Sequence, residues 1–412
     1  MTTLLPKTGA LPVVKPFPWG GLIVLSLAVF LSVTAEMIPT GLLPEMSAGL
    51  GVSESQTGLL ISFFAFAVVL TSVPLTFLFR RVPRHLLLMF VLIVIALGSV
   101  VGGLAPNFEV LAAARIVSGM AHGVFWGVVG AYSAHLVPKE QIGRAVAITT
   151  GGGTLAFVLG VPLATTVGHA LGWRAPFLGI GALALLGSVM IWMLLPRVDH
   201  RKHLEVSTDT AALRRERRRG KLDPTIPVVA LICVLVAVVM IGNYSFYTYI
   251  APFLIGSMGV PEGQVGLLLL VYGLAGAIGV FAAGALFGRR PATGLMISLA
   301  ATGASVLLLA VFAANPVIAI GAFFVWGIAF GVIPTLLPTR LMHAASPGIR
   351  DSASAFYSTA FNAGIGIGAL VGGFFLDALG LDSLPWIYLG ALVLGIALLA
   401  ATPALTRRAQ GG

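Results

Sequence analysis

Long apolar runs separated by short polar turns fill almost the whole chain. Twelve reach membrane-spanning length, near 19-41, 56-79, 86-104, 108-132, 144-168, 175-195, 226-253, 264-287, 292-313, 316-338, 351-376 and 384-403. About 20 such residues cross a hydrocarbon core of about 30 Å as an α-helix. Lipid offers no partner to bare backbone groups, so the pattern predicts twelve transmembrane helices in an all-α integral membrane protein. The first run is too long for a signal-peptide core and lacks a small-residue cleavage site after it, so it is expected to remain as a helix.

Among the polar interruptions only Pro196 to Pro224 is long, and it divides six helices from six. The expected organisation is a cytoplasmic tail (1-18), a first six-helix bundle (19-195), a basic cytoplasmic linker (196-225), a second six-helix bundle (226-403) and a second cytoplasmic tail (404-412). The linker run Arg214-Arg215-Glu216-Arg217-Arg218-Arg219 is read as a solvated segment that can also touch anionic lipid. The two halves repeat. Gly51-Val52-Ser53-Glu54-Ser55-Gln56-Thr57-Gly58-Leu59-Leu60 returns as Gly259-Val260-Pro261-Glu262-Gly263-Gln264-Val265-Gly266-Leu267-Leu268, an offset of 208 residues (259 − 51). The same shift carries Pro44 to Pro252, Arg81 to Arg289 and Gly160 to Gly368. Equivalents six crossings apart share one orientation, which is the parallel-repeat plan with a site at the midplane between halves.

Local signals agree with this division. Ser53 and Gln56 fit an N-cap and its N3 partner at the start of the second helix, and Pro261 suits a helix start in the second copy. Small residues recur at steps of four: Gly152, Ala156, Gly160, Ala164 and Gly168; Ala360, Gly364, Gly368 and Gly372; Gly119, Gly123, Gly127 and Ala131. Such ladders let helix backbones approach closely.

The chain is 58% hydrophobic and 9% charged, against about 25% charged in soluble domains. Its net charge of +10 raises the question of nucleic acid, and the placement of the charges answers it. Of 24 lysines and arginines, 22 fall at the termini and in alternate loops, with Arg174 on the opposite side and Arg115 inside a helix. This positive-inside pattern predicts both termini in the cytoplasm of a multi-pass cell-membrane protein and argues against nucleic acid as a partner. The lone Cys233 sits in an apolar run, so an intramolecular disulfide is excluded and packing is its expected role.

Of the fourteen acidic residues, thirteen lie in loops or at the ends of apolar segments, and Glu36 alone sits inside one. A charged residue at the helix centre costs roughly 2.5 to 3.5 kcal/mol on translocon scales, and those that occur usually line pathways. Glu36 lies roughly 25 Å along the first helix from Trp19, and Arg115 roughly 9 Å in from Glu109, both at about 1.5 Å per residue. The two depths agree, so an interaction between Glu36 and Arg115 is expected. Arg115, Gly119, His122 and Trp126 share one helical stripe. An imidazole titrates near physiological pH, so His122 is a candidate to relay protons or to bind substrate, or else an interhelical hydrogen-bonding group.

Several strings resemble the major facilitator superfamily, specifically its twelve-helix drug:proton antiporter branch, and within it bacterial sugar (arabinose-type) efflux transporters and related chloramphenicol exporters. They are Thr34-Ala35-Glu36-Met37-Ile38-Pro39-Thr40-Gly41-Leu42-Leu43-Pro44, Ala121-His122-Gly123-Val124-Phe125-Trp126, Gly160-Val161-Pro162, Gly172-Trp173-Arg174, Tyr247-Thr248-Tyr249-Ile250-Ala251-Pro252-Phe253 and Asn362-Ala363-Gly364-Ile365-Gly366. The resemblance implies that Arg115, in Arg115-Ile116-Val117-Ser118-Gly119, belongs to the helix-four motif tied to proton coupling. Gly160 and Pro162 resemble the antiporter motif of helix five, with Ala164 where glycine is common. In the loop between helices two and three, Thr76 and Arg80 stand where that family motif has glycine and aspartate. The basic residues Arg81 and Arg84 of that latch are therefore present without its acidic side.

The expected function is proton-coupled export of a small neutral solute, a sugar such as arabinose or a phenicol-type antibiotic, by alternating access. A broad-specificity multidrug:proton antiporter is the alternative. Glu36, Arg115 and His122 are the expected proton-coupling set. Trp126, Asn243, Tyr244, Tyr247, Ser358 and Asn362 are the expected substrate contacts, because phenols, amides and hydroxyls suit a neutral hydroxylated ligand. Arg81, Arg84, Gly160, Pro162, Gly364 and Gly368 are the expected conformational residues. No cofactor is expected, the proton gradient supplying the energy, and the protein is read as a monomer among membrane lipids. The histidines are dispersed, no Gly-x4-Gly-Lys phosphate loop occurs, and the string Gly364, Gly366 and Ala369 follows no strand, so neither an enzyme nor a nucleotide-binding protein is indicated.

Overall fold

The structure is a computed structural model in which residues 17–196 and 223–410 are described. The linker run Arg214 to Arg219, His200 and His203 within the same linker, and residues 1–16 and 411–412 of the tails fall outside those residues.

Among the described residues twelve helices are long and apolar enough to cross a membrane, numbered here in chain order. In the first half they are α1 (Trp19–Gly41), α2 (Glu54–Arg81), α3 (Arg84–Gly103), α4 (Phe108–His135), α5 (Ile142–Leu171) and α6 (Arg174–Leu194). The second half has α7 (Ile226–Tyr247), α8 (Glu262–Phe287), α9 (Pro291–Phe312), α10 (Pro316–Ala344), α11 (Ser352–Leu379) and α12 (Leu381–Thr402). Among the described residues there is no strand.

The expected seventh run, 226-253, is not one helix. It ends at Tyr247, and a separate helix covers Ile250–Gly256. α1 does the same, breaking at Leu42 before the helix Leu43–Leu50. Leu42 and Ile250 are repeat equivalents, and in each half a proline two residues further on, Pro44 or Pro252, opens the short helix, where a missing N–H costs nothing. Gly51 and Gly259 then turn the chain, both at φ 67° in the left-handed region that favours glycine. Ser53 closes the predicted capping box with Gln56. α5 contains a π-helical turn, Ala156–Gly160, ending two residues before Pro162, the kind of local rearrangement that accommodates a residue without an amide hydrogen.

The small-residue ladders explain the packing within each half. A side chain at Gly152, Gly160 or Gly168 would strike Ser26, Thr34 and Leu42 respectively, so α5 and α1 advance in step as parallel neighbours. Gly364, Gly368 and Gly372 meet Met240, Ile241 and Ser245 in the same way, joining α11 to α7. Gly119 faces the Phe64 carbonyl, and its equivalent Gly327 faces the Tyr272 carbonyl. Where lipid removes the hydrophobic drive between helices, such close backbone approach supplies the association.

Across the seam between halves, α2 meets α11 and α5 meets α8. Ser55 donates to Asp377 at 2.7 Å and Ser62 to the Gly366 carbonyl at 2.8 Å, while Gly266 abuts the Pro162 carbonyl. Gly366 lies against Ala65 and Gly273 against Val158. The 208-residue shift carries Ala65 onto Gly273 and Val158 onto Gly366. These are one contact repeated by a two-fold relation, as a parallel repeat requires. The seam contacts cluster toward the Leu43–Leu50 end, whereas Trp126 and Ser358, toward the opposite end, are exposed.

Candidate functional site

Pro39, inside α1, has no N–H to give the Ala35 carbonyl one turn back. An orphaned carbonyl at membrane depth needs another donor. Arg115 of α4 supplies it: Nη1 donates to the Ala35 carbonyl and Nη2 to the Glu36 carbonyl, each at 2.6 Å. The Phe64 ring of α2 lies 4.4 Å from the guanidinium carbon. The expected side-chain pair between Arg115 and Glu36 is thus corrected. The two groups remain within electrostatic reach, but the guanidinium holds the backbone of α1 where proline opened it, and among the described residues it forms no ion pair.

The Glu36 carboxylate turns to His122 instead, with Oε2 3.4 Å from Nε2. All three charged or titratable groups are deeply buried, Glu36 at 6% exposure, Arg115 at 3% and His122 at 2%. His122 is held on both ring nitrogens. Trp126 Nε1 donates to Nε2 at 2.7 Å, and Nδ1 lies 2.8 Å from the Ser32 hydroxyl. An indole N–H can only donate, so Nε2 must present a lone pair and the proton must sit on Nδ1, donating to Ser32. The arrangement therefore contains neutral His122. Its edge contact with Phe64, 5.1 Å between ring centres, completes the support.

Across the seam, Tyr244 lies within electrostatic reach of Glu36 and of Tyr247. Tyr247 stacks at 5.2 Å on Tyr272, which contacts Trp326 at 5.1 Å, and Trp326 lies flat on Phe246. Asn243 is buried with its Oδ1 unpartnered. Asn243, Tyr244 and Tyr247 therefore belong to one buried aromatic and amide wall of the second half. Ser358 and Asn362 do not join it through any direct bond: Ser358 is exposed, and the Asn362 amide donates back to the Ser358 carbonyl at 2.9 Å. Trp126, expected as a substrate contact, is 39% exposed while its indole nitrogen serves His122.

The expected conformational residues divide by location. Gly160 receives Thr34 of α1, Gly364 and Gly368 receive α7, and Pro162 presents its carbonyl to α8 across the seam. Arg81 is exposed and Arg84 half-buried; among the described residues neither makes an ion pair. Thr76, which replaces the motif glycine, fills the space opposite Gly127.

Reading the sequence missed Ser32 and Phe64 as His122 supports and missed the Tyr272–Trp326 cluster. A serine four residues before Glu36 on α1 was a usable signal for Ser32, since i and i+4 share a face. Tyr272 and Trp326 carried none, because their meeting depends on how α8 and α10 pack.

Twelve crossings in two repeat-related halves, with a solitary carboxylate buried near their seam, define a multi-pass membrane transporter of the two-bundle type. The description of the Major Facilitator Superfamily matches this chain over residues 25–361 and again over 232–411. The chain belongs to that superfamily. It is 31% identical over 358 residues to a probable sugar efflux transporter of Helicobacter pylori (strain ATCC 700392 / 26695), a match covering 87% of this chain and 88% of the relative. A probable sugar efflux transporter from strain HPAG1 is 30% identical over 359 residues, covering 87% and 89%. Among solved structures, a bacterial homologue of the human lysosomal transporter Spinster, inward-facing and unoccupied, superposes with a TM-score of 0.71 at 19% identity, covering 96% of this chain and 97% of that one. The human organic anion transporter MFSD10 (TETRAN) gives 0.68 at 16% identity, covering 93% and 100%. The resemblance read from Glu36-Met37-Ile38-Pro39 and its companion strings is borne out.

Proposed function

We propose that the protein exports a small neutral solute of the sugar class in exchange for protons, and that Glu36 and His122 carry the proton. The observation that carries the reading is the buried contact of Glu36 with neutral His122. In this mechanism His122 Nε2 has two partners and can serve one at a time. As a lone pair it accepts from Trp126. Once protonated it becomes a donor, turns to the Glu36 carboxylate 3.4 Å away, and must release the indole, which also can only donate. Protonation is thereby converted into movement of a partly exposed tryptophan. Arg115 holds α1 in place through its bonds to the Ala35 and Glu36 carbonyls.

The neutral substrate class is supported by the second half, whose wall of Asn243, Tyr244, Tyr247 and Tyr272 offers hydroxyls and an amide, and by the names of the curated relatives. A multidrug:proton antiporter is the second reading, favoured by the large aromatic area around Trp326.

The test is transport in proteoliposomes under an imposed pH gradient, comparing sugars, phenicols and lipophilic cations. Sugar movement driven by the gradient is expected, lost in Glu36→Gln. Trp126→Phe, which keeps a ring but removes the donor to His122 Nε2, is expected to shift the pH profile of transport. Full pH-driven transport by Glu36→Gln at normal expression would remove the coupling role, and transport of cations alone would remove the sugar reading.

A further inference from the structure

Away from the Glu36–His122 network, three side chains meet at the closed end of the seam. Glu45 stands in the first turn of the Leu43–Leu50 helix, His169 in the last turn of α5, and Glu262 opens α8. The first two belong to one half of the molecule and the third to the other. His169 Nδ1 lies 2.8 Å from Glu45 Oε1, and one ligand atom from each of the three residues falls within 4.8 Å of the others. The His169 side chain is only 9% exposed. Its Nε2 is buried without a hydrogen-bond partner, and so is Glu45 Oε2, the oxygen turned away from the His169 contact. Buried polar atoms are normally satisfied, so this concentration of unpaired lone pairs and negative charge asks for a cation.

Imidazole nitrogen with two carboxylates is a donor set suited to zinc and its neighbours rather than to magnesium or calcium, which favour oxygen alone. Bonds of about 2.0 to 2.2 Å would bring the donors to roughly 3.5 Å apart. The exposed Glu262 side chain has to close by about an ångström, while His169 Nδ1 and Glu45 Oε1, 2.8 Å apart, have to open to the roughly 3.5 Å spacing that lets a cation replace the contact between them.

We propose that Glu45, His169 and Glu262 form a site for a divalent transition cation, with zinc the best fit, that clamps the two halves together at this end of the seam. Opening that end separates Glu262 from its two partners, so the cation binds the closed form alone. A ligand with such a preference shifts the population toward the form it binds. Zinc then acts as a brake on alternating access without entering the substrate site.

The experiment titrates zinc chloride, with magnesium chloride as control, into the detergent-purified full chain by calorimetry and by thermal melting, for wild type, Glu262→Gln and His169→Ala. One zinc per chain and a raised melting temperature are expected for wild type, with at least tenfold weaker binding in each variant. Elution on size exclusion checks that the variants are folded, and the exposed position of Glu262 makes its variant the safer arm. In proteoliposomes zinc should slow transport reversibly, with relief by EDTA and insensitivity in Glu262→Gln. Absence of saturable binding, or wild-type affinity in Glu262→Gln, would overturn the bridging site, and zinc binding that leaves transport unchanged would overturn the clamp. The binding readouts use no substrate, so they stand or fall apart from the exporter reading.

Discussion

Replacing Arg115 by methionine tests whether its guanidinium serves the backbone or the carboxylate. The side chain keeps much of its length and apolar stem but loses every donor. Two charge-assisted bonds to the Ala35 and Glu36 carbonyls disappear, each about 1.5 to 3 kcal/mol, and the Ala35 carbonyl is stranded at about 1 to 3 kcal/mol. Loss of the contact with Phe64 adds about 0.5 to 2 kcal/mol. Relief of the several kcal/mol of desolvation that a buried arginine carries offsets a large part of this. A net destabilisation of about 2 to 4 kcal/mol is expected, in line with removing one partner from a buried polar network. The discriminating step is a second substitution, Pro39→Ala, which restores an N–H able to close the helical bond to the Ala35 carbonyl. If Arg115 compensates for the proline, Arg115→Met costs about 1 kcal/mol less in the Pro39→Ala background, the net value of one hydrogen bond. Thermal and denaturant unfolding of the four proteins in detergent measures that coupling. Additivity within about 0.5 kcal/mol, the behaviour of independent sites, would refute the reasoning. So would disappearance of the Arg115→Met penalty in a Glu36→Gln background, which would return the arginine to a carboxylate partner.

Two further substitutions probe the packing and the loops. Gly119→Ala drives a methyl group onto the Phe64 carbonyl and is expected to destabilise by about 1 to 3 kcal/mol, whereas Gly130→Ala has open space and is expected to be neutral or to stabilise by about 0.5 to 1 kcal/mol; equal melting temperatures would refute the ladder. Asp223 lies just before α7, and burial, which pushes its carboxyl up, is outweighed by hydrogen bonds from Ser346 and from the Thr225 side chain and amide, which hold it below the usual range. A depressed carboxyl contributes stability above its unfolded pKa and loses it as pH falls through the folded value. Asp223→Ala should therefore cost about 0.5 to 2 kcal/mol near neutrality, as for a lost cap, and the gap to wild type should close on acidification; a gap independent of pH would contradict this.

The sequence by itself determined the twelve crossings, the division into halves and the repeat, because lipid forces helices and imposes long apolar runs that nothing else requires. The 208-residue offset was legible for the same reason: Gly51 and Gly259, or Gly119 and Gly327, answer identical steric demands in each copy. Glu36 also stood out, as the one carboxylate within an apolar run. Tertiary structure decided what each group touches. Depth along α1 and α4 brought Arg115 level with Glu36, but a rise per residue carries no information on rotamer, and the carbonyl freed by Pro39 captured the guanidinium. That left the carboxylate to His122, whose proton position follows from a tryptophan that can only donate. The meeting of Glu45, His169 and Glu262 lay equally beyond a linear reading, for it exists only where the ends of three helices from two halves converge.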